Sequence, residues 1–422
     1  MGSARGARGR LRHGRRATIA AKLPRLRQPP GRCGGTSDGA DPPSGQRQIQ
    51  VGGARVVRRQ GFPMSPVVLL CGPIALPGVA AAGGYEACNS RTIEALRLRG
   101  LTVHELRFPQ PQGGAWAKLS GYLRGFLRLS RQLNRTPGEI FHLTGLYKHF
   151  ALPELLLLRL ARRRGLRTIY DIRAGSMHRH YARLGPLYRW LFRKVLLSAD
   201  QVMVEGVDYQ PFVQQVTGRP AFYLPNHIKA TGMPARQADQ ADATLRMIYV
   251  GRITVEKGVE TALQTAQLLQ QRGLACQIAI AGNGPAALMQ RLRAAYPQAE
   301  WLGSLQSDAV LTQLGRSQWF LFPTRHSGEG HSNALTEAMA MGCVPVATDN
   351  GFNRSVIGDA GLVLPLAAEA AQYADAIEAA WNAGSWSTLS QRAAARTKEL
   401  YSTEQAIARL HTAYVDLMKA PV

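Results

Sequence analysis

After Met64 the sequence alternates short apolar runs with longer amphipathic ones, and does so in two successive series. That pattern belongs to parallel strands, each buried on both faces and joined to the next by a crossover helix. In the first series the runs predict strands at 67–71, 101–107, 139–143, 166–171, 200–204 and 220–224, with helices at 84–99, 116–133, 151–164 and 184–197. The second opens at "RMIYVG" (246–251) and continues through "CQIAIAG", "QWFLFP" and "CVPVAT", with helices near 258–272, 285–295, 308–315 and 333–341. Between them, "KATGMPARQADQADA" (229–243) is polar and aperiodic, as a linker is. The expected architecture is therefore α/β: two doubly wound Rossmann-like domains, 64–228 and 244–400, facing across a cleft. A chain of 422 residues with 45% hydrophobic content has material for two such cores. The last segment, 401–422, starts with a capping pattern, Ser402 three residues before Gln405, and is long enough to pack back on the first domain. Chemistry is expected at the carboxyl ends of the two sheets.

The formal charge of +25 is unevenly spread and needs two explanations. Residues 1–63 hold fourteen Arg or Lys against Asp38 and Asp41, are rich in Gly and Pro, and lack apolar periodicity. They read as a disordered basic extension upstream of a start at Met64; an arginine-rich nucleic-acid arm or a transit peptide is the functional alternative. The uncharged stretch Gly61–Tyr85 resembles a membrane anchor only superficially, because Pro66, Pro73 and Pro77 would break a spanning helix. A buried strand, "VVLLC", followed by a glycine-rich loop fits better. Further on, eleven Arg or Lys between Arg159 and Lys194 face one acid, Asp171. Arg124, Arg128, Arg131 and Arg135 line one side of a helix whose other side offers Leu119, Leu123, Phe126 and Leu127, and Tyr188, Trp190 and Phe192 stand among later cations. These faces suit an anionic membrane surface, or are the solvated sides of a basic protein. No aromatic RNA-binding platform or DNA-reading module is recognisable, so nucleic acid is not an expected partner, although a basic nucleic-acid-binding protein is the alternative from a different class. The five cysteines, Cys33, Cys71, Cys88, Cys276 and Cys343, are scattered without the spacing of a zinc site or disulfide framework, which suits a reducing cytoplasm.

Two short stretches carry chemistry. In "YVGRITVEKG" (249–258) Arg252 follows a strand and Lys257 stands beside the next helix start, so both cations can reach one anion; a diphosphate suits a forked guanidinium and an ammonium together. In "EGHSNALTE" (329–337) Ser332 is an N-cap, and the backbone N–H groups of Asn333, Ala334 and Leu335 open a helix N-terminus, a second anion-binding feature. Glu329 then precedes the helix and Glu337 lies just over one turn inside it, bracketing the anion as acceptors for paired hydroxyls. The plainer alternative makes them a loop acid and a first-turn acid. A dinucleotide oxidoreductase is not expected, since no G-x-G-x-x-G follows either first strand.

With "IAGNGP", "FPTRHSGEGHSNALTEAMAMGCVPVAT" and "VIGDAGLVLP", the stretch "GRITVEKG" resembles in order and spacing the retaining glycosyltransferases of family 4 (glycosyltransferase group 1), which have the GT-B fold. The match covers most of 245–365. Upstream, "AAGGYEACNSRTIEALRLRG" (81–100) looks like the family's glycine-rich loop and first helix, and "YLPNHI" (223–228) like the close of its first domain; in all the resemblance spans about 67–415. It implies transfer of a sugar from a nucleotide-diphosphate donor to an acceptor hydroxyl of a saccharide or lipid-linked saccharide, with retained anomeric configuration, in cell-surface polysaccharide or glycolipid assembly in the cytoplasm or at the cytoplasmic face of the membrane. On that resemblance Arg252 and Lys257 hold the diphosphate, Glu329 the sugar hydroxyls and Glu337 the ribose. Gly330, His331 and Ser332 line the sugar, Gly83 and Gly84 admit the phosphates, and Asn283 and Gly284 lie near the nucleoside. No cofactor is expected, and with no D-x-D in the chain no metal either, the Arg and Lys taking its place. His331 and Ser332 depart from the aromatic and the Gly or Pro frequent in the family. "YDIRAGS" (170–176) stands where many members carry a His-Gly pair, leaving Arg173, with His142 and Thr144 in "FHLTG", as acceptor-side candidates and the general base unassigned. A sugar-nucleotide epimerase of similar shape is the rival within enzymes.

Overall fold

The computed structural model describes residues 65–420 apart from 77, 80–82, 229–232 and 239–243. The expected basic extension 1–63 and most of the expected linker 229–243 lie outside the described residues. Everything described falls in one compact unit, Arg58–Val422.

The first half runs β1 (Val68–Gly72), α1 (Gly84–Leu98), β2 (Val103–Arg107), α2 (Ala115–Arg135), β3 (Ile140–Gly145), α3 (Ala151–Arg163), β4 (Arg167–Ile172), α4 (Met177–Arg183), α5 (Pro186–Ser198), β5 (Gln201–Val204), α6 (Tyr209–Thr217) and β6 (Phe222–Tyr223). Its six strands form one parallel sheet in the order β2-β1-β3-β4-β5-β6. The second half runs β7 (Leu245–Val250), α7 (Val259–Gln271), β8 (Cys276–Ala281), α8 (Ala286–Ala295), β9 (Glu300–Gly303), α9 (Ser307–Gly315), β10 (Trp319–Phe322), α10 (Asn333–Ala340), β11 (Val344–Thr348), α11 (Asn353–Ile357), β12 (Leu362–Leu364), α12 (Ala370–Asn382), α13 (Trp386–Leu400) and α14 (Thr403–Lys419). Here the parallel order is β12-β11-β10-β7-β8-β9. The strand order reverses beside β1 in one sheet and beside β7 in the other. Crevices open at the carboxyl ends of strands at such points, so the loops after β1 and β7 are where a ligand site belongs.

The central strands are apolar without alternation because helices cover both faces: every residue of β1, β3, β10 and β11 is buried. α14 belongs by sequence to the end of the chain but packs on the first sheet, with Ile407, Leu410 and Tyr414 buried among Val68, Leu70, Ile93 and Met203. Each such side chain contributes about 1.5–3 kcal/mol when fully buried. Its start is fixed twice. Ser402 Oγ accepts the Gln405 N–H at 3.4 Å, and Ile228 donates to Tyr401 O (2.9 Å) while accepting from Thr403 N–H (2.7 Å). The chain's end is thereby tied to residue 228.

One helix that was not predicted precedes the expected span 184–197. The span 184–197 begins at Pro186, whose missing N–H suits a first helical position, and Met177–Arg183 forms a separate helix before it. Among the described residues no helix is long and apolar enough to cross a membrane. "VVLLC" is a buried strand, as expected.

Candidate active site

A cavity of about 610 Å³ lies between the two sheets at their carboxyl ends. From the second half come Arg252, Lys257 and the loop 328–334. Arg252 follows β7 directly, and its carbonyl accepts from Tyr249 Oη at 2.8 Å, which fixes the turn. Lys257 ends a short 3-10 turn closed by Gly258 at φ 74°, where a Cβ would stand 2.1 Å from Pro323 O. Glycine is required there, and the tight turn brings Lys257 under the loop carrying Glu329.

Glu329 is 6% exposed. Its Oε2 accepts from Lys257 Nζ at 2.7 Å and from Thr324 Oγ1 at 2.6 Å. Carboxylate and ammonium therefore neutralise each other in this state. A ligand bearing both anionic oxygens and hydroxyls can divide them, taking the ammonium with the former and the carboxylate with the latter. Ser332 caps α10 as expected, but its Oγ accepts the Leu335 N–H at 3.4 Å. Leu335 is fully buried, so it supplies no ligand-facing donor, and the expectation for Leu335 is corrected: only Asn333 and Ala334 of the three reach the cavity wall. His331 also lines the cavity. Its ring meets Thr336 Oγ1 through Nε2 at 2.9 Å and the Glu205 carbonyl through Nδ1 at 3.4 Å, and burial pushes it down to about 3, so it is neutral.

The first half contributes by single residues from several strand ends. Gly83 and Gly84, after β1, face the cavity, and a Cβ on Gly83 would meet nothing within 4 Å. Arg173, after β4, is 4% exposed and reaches the cavity as expected. Its Nε donates to Asp171 Oδ2 at 2.6 Å and its Nη1 to Asn226 Oδ1 at 2.7 Å, while Asn226 Nδ2 donates across the cleft to His331 O at 2.7 Å. Burial pushes Asp171 up, but Arg173 and His142 more than offset it and hold the carboxyl below its usual range.

Five other expected positions lie elsewhere. His142 is buried, held by Tyr414 Oη (2.7 Å) and Asp171 Oδ2 (3.3 Å); it backs Arg173 instead of meeting a ligand. Thr144 is buried too, donating to Cys71 O at 2.9 Å. Neither side chain is open to the cavity, because β3 is buried from end to end. Asn283 is exposed and Gly284 packs on Ile253, neither lining the cavity. Glu337 also lies outside it, with Oε1 3.5 Å from Arg91 Nη1 of α1; burial raises its carboxyl above the ordinary range and Arg91 offsets only part of the rise. The bracket of two carboxylates around one anion thus has only its Glu329 arm in the cavity.

Glu205 is the acidic residue of the cavity that sequence reading missed. It follows β5, is 3% exposed and lines the cavity. Burial drives it up to about 8, against the lowering pull of Arg173, with Asp171 and Glu329 adding to the rise. At neutral pH it is a carboxylic acid able to donate. An acid at a parallel strand's carboxyl end followed by glycine, "VMVEG", was the available signal. Glu205 also marks where the halves meet: a Cβ on Gly330 would stand 2.3 Å from its Oε1, and one on Gly175 would stand 1.7 Å from Glu329 O. Among the described residues no group of three or more His, Cys, Asp or Glu is placed to hold a metal.

Residues 244–383 match the family model for glycosyl transferases group 1. An alpha-D-kanosaminyltransferase of Streptomyces kanamyceticus is 28% identical over 291 residues, covering 63% of this chain and 73% of that protein. WcaL of Escherichia coli, a glycosyltransferase assigned to colanic acid biosynthesis, is 30% identical over 196 residues, 42% of this chain and 45% of its own length. Among solved structures, a sucrose-phosphate synthase from Thermosynechococcus elongatus superposes with a TM-score of 0.68 at 16% identity, over 84% of this chain and all of that one. Anabaena HepE in complex with UDP gives 0.61 at 12% identity, over 83% and 100%. The two parallel sheets and these neighbours define the GT-B architecture. Residues 244–383 thus form a group 1 glycosyl transferase domain, and the similarity to these glycosyltransferases makes the protein a transferase enzyme.

Proposed function

We propose that this enzyme transfers a sugar, with retention of anomeric configuration, from a nucleotide-diphosphate donor to a saccharide or lipid-linked saccharide acceptor in cell-surface polysaccharide or glycolipid assembly, working in the cytoplasm or at the cytoplasmic face of the membrane. One observation carries the reading: Arg252 and Lys257 face the N-terminus of α10 across a cavity that also holds the Glu329 carboxylate. A diphosphate fits the two cations and the N–H groups of Asn333 and Ala334, and those donors stabilise the charge that grows on it as the glycosidic bond breaks. Glu329, released from Lys257, accepts from sugar hydroxyls. Arg173, held by Asp171 and Asn226, faces the same space from the first half and orients the donor or acceptor. A cationic site of this make-up needs no metal. The assignment to cell-surface assembly draws on WcaL, and nucleotide binding in this fold on HepE with UDP.

The test is a panel of nucleotide sugars screened for heat stabilisation, since a bound donor raises apparent stability by mass action, followed by turnover with candidate acceptors and anomeric analysis of the product. Release of nucleoside diphosphate only when acceptor is present, with a retained anomer, is expected. Conversion of the donor's sugar without acceptor would instead establish the epimerase, and an inverted product would overturn retention.

A further inference from the structure

The helices on one face of the first sheet are apolar on the wrong side. α2, α3 and α5 pack in sequence against one another, yet their outer surface exposes Trp116 (84%), Leu119, Leu123 (64%) and Leu127 from α2, Leu152 and Leu156 from α3, and Leu187 (76%) and Trp190 from α5. On α2 only Leu129 and Leu133 are buried. Leu119, Leu123, Phe126, Leu127, Phe150 and Leu156 line a groove of about 470 Å³ between α2 and α3. Patches of this extent on a water-soluble surface mark an interaction site.

The charge around the groove names its occupant. α2, α3 and α5 carry a single acidic residue, Glu154, which is buried. Lys118, Arg124, Arg128, Arg131 and Arg135 stand exposed along α2. A second copy docking through the same face would set cations against cations. A nucleic acid would use the arginines and leave the leucines in water. An apolar stripe flanked only by cations matches an anionic leaflet, in which hydrocarbon lies beneath phosphate.

A strained loop joins this groove to the active-site cavity. Tyr147 and Lys148 have φ of 46° and 51°, the positive-φ residues other than glycine among those described. Buried Glu154 holds them by accepting the N–H groups of Leu146 (2.5 Å) and Tyr147 (3.2 Å), and Tyr188 Oη accepts the Lys148 N–H at 3.0 Å. Such strain persists where surrounding structure over-determines it and concentrates at functional positions. Its effect is to leave Lys148 exposed, next to His149 and Phe150 of the groove. Tyr147 Oη meets Ser176 Oγ at 2.7 Å, in the loop that carries Arg173 and Gly175 into the cavity.

We propose that the α2–α3 groove binds the hydrocarbon chain of an anionic membrane lipid, that Lys148 takes its phosphate at the cavity end, and that this helical layer docks the enzyme on a leaflet. Only the identity of such a lipid as the acceptor rests on the transfer reading above. The test uses the full chain and vesicles of phosphatidylglycerol or phosphatidylcholine, with or without bromine on the acyl chains. Brominated phosphatidylglycerol quenches tryptophan fluorescence, and Trp116→Phe combined with Trp190→Phe removes most of the quenching. Replacing Leu119, Leu123 and Leu127 together by Gln lowers flotation with anionic vesicles by about tenfold or more, with nucleoside diphosphate binding unchanged. Lys148→Gln weakens dodecyl phosphate binding about tenfold and leaves dodecyl maltoside unaffected. Absence of quenching, or a triple variant that floats like the unaltered chain, overturns the proposal. So does a dimer in light scattering that the triple variant dissociates, or retention of single-stranded RNA without vesicle binding. Equal loss of both dodecyl ligands in Lys148→Gln removes the phosphate assignment. Vesicle binding in a protein that binds no nucleotide sugar sinks the transfer reading and leaves this one standing.

Discussion

The two walls of the cavity are built differently. The second-half wall is a pair of short continuous segments, 252–258 and 328–334, in which one turn and one helix start set every functional group. The first-half wall is assembled from separate strand ends: Gly83 and Gly84 after β1, Arg173 and Gly175 after β4, Glu205 after β5. A wall made of contiguous sequence has its geometry fixed by local turns and caps. A wall made of scattered residues depends on the register of the whole sheet and on buried supports such as Asp171 and His142.

The comparison breaks most readily at the contiguous wall. Lys257→Ala removes one of the cavity's cations and leaves Glu329 without its 2.7 Å partner. Transfer is expected to fall by about 10²–10³-fold, with nucleoside diphosphate affinity falling too. Glu329→Ala frees the ammonium, so turnover collapses while nucleoside diphosphate binding is largely kept. Steady-state kinetics beside calorimetric titration separates the two. Near-normal transfer in both variants overturns the assignment.

The junction of the walls comes next. Gly175→Ala places a methyl 1.7 Å from Glu329 O, where backbone must move; overpacking of this kind costs about 1–3 kcal/mol. A lower Tm and weaker donor binding are expected together. Gly83→Ala is the control, since its methyl meets nothing within 4 Å: Tm holds and donor affinity alone drops. If both variants lose Tm equally, the close approach of the halves is not what Gly175 serves.

Legibility followed the same division. The two alternating series made the sheets readable, and "VEKG" with "EGHSNALTE" placed Lys257, Glu329 and the α10 cap because those relations span only a few residues. His142 and Thr144 were misread because a strand-end position does not reveal whether a side chain faces ligand or the neighbouring strand. Leu335 was misread because the cap that creates the helix start also consumes one of its N–H groups. Glu205 escaped because its character comes from Arg173, Asp171 and Glu329, residues distant in sequence that burial brings around it. The two missed strands, β9 and β12, are edge strands of four and three residues with partly exposed side chains, too short to show a pattern.

Glu205 sharpens the comparison through pH. Its carboxyl sits at about 8 in the folded chain against an ordinary 4.5, so the folded state holds a proton that the unfolded state releases. The stability it contributes is complete below about pH 4.5 and is lost as pH rises through 8. Glu205→Gln removes that dependence while keeping size and polarity. Melting curves from pH 5 to 9 should therefore show the variant gaining on the unaltered chain as pH rises. Glu154, at about 7, adds the same trend to both proteins and cancels in the difference. Parallel curves would mean that Glu205 is ionised in the fold.

The smallest effect is expected where the halves meet through Arg91 and Glu337. Their 3.5 Å pair joins α1 to α10, but each side chain keeps about a quarter of its surface in water, 25% and 23%, and pairs so placed are worth about 1 kcal/mol or less. Arg91→Ala should move Tm by only a degree or two. Its informative readout is binding. If Glu337 serves ribose hydroxyls, it must turn from Arg91 when the donor arrives, so Arg91→Ala leaves nucleoside diphosphate affinity unchanged or tighter, whereas Glu337→Gln weakens it a few-fold with Tm unmoved. Equal weakening in both variants would make the pair a clamp between the two walls, with the ribose held by other groups.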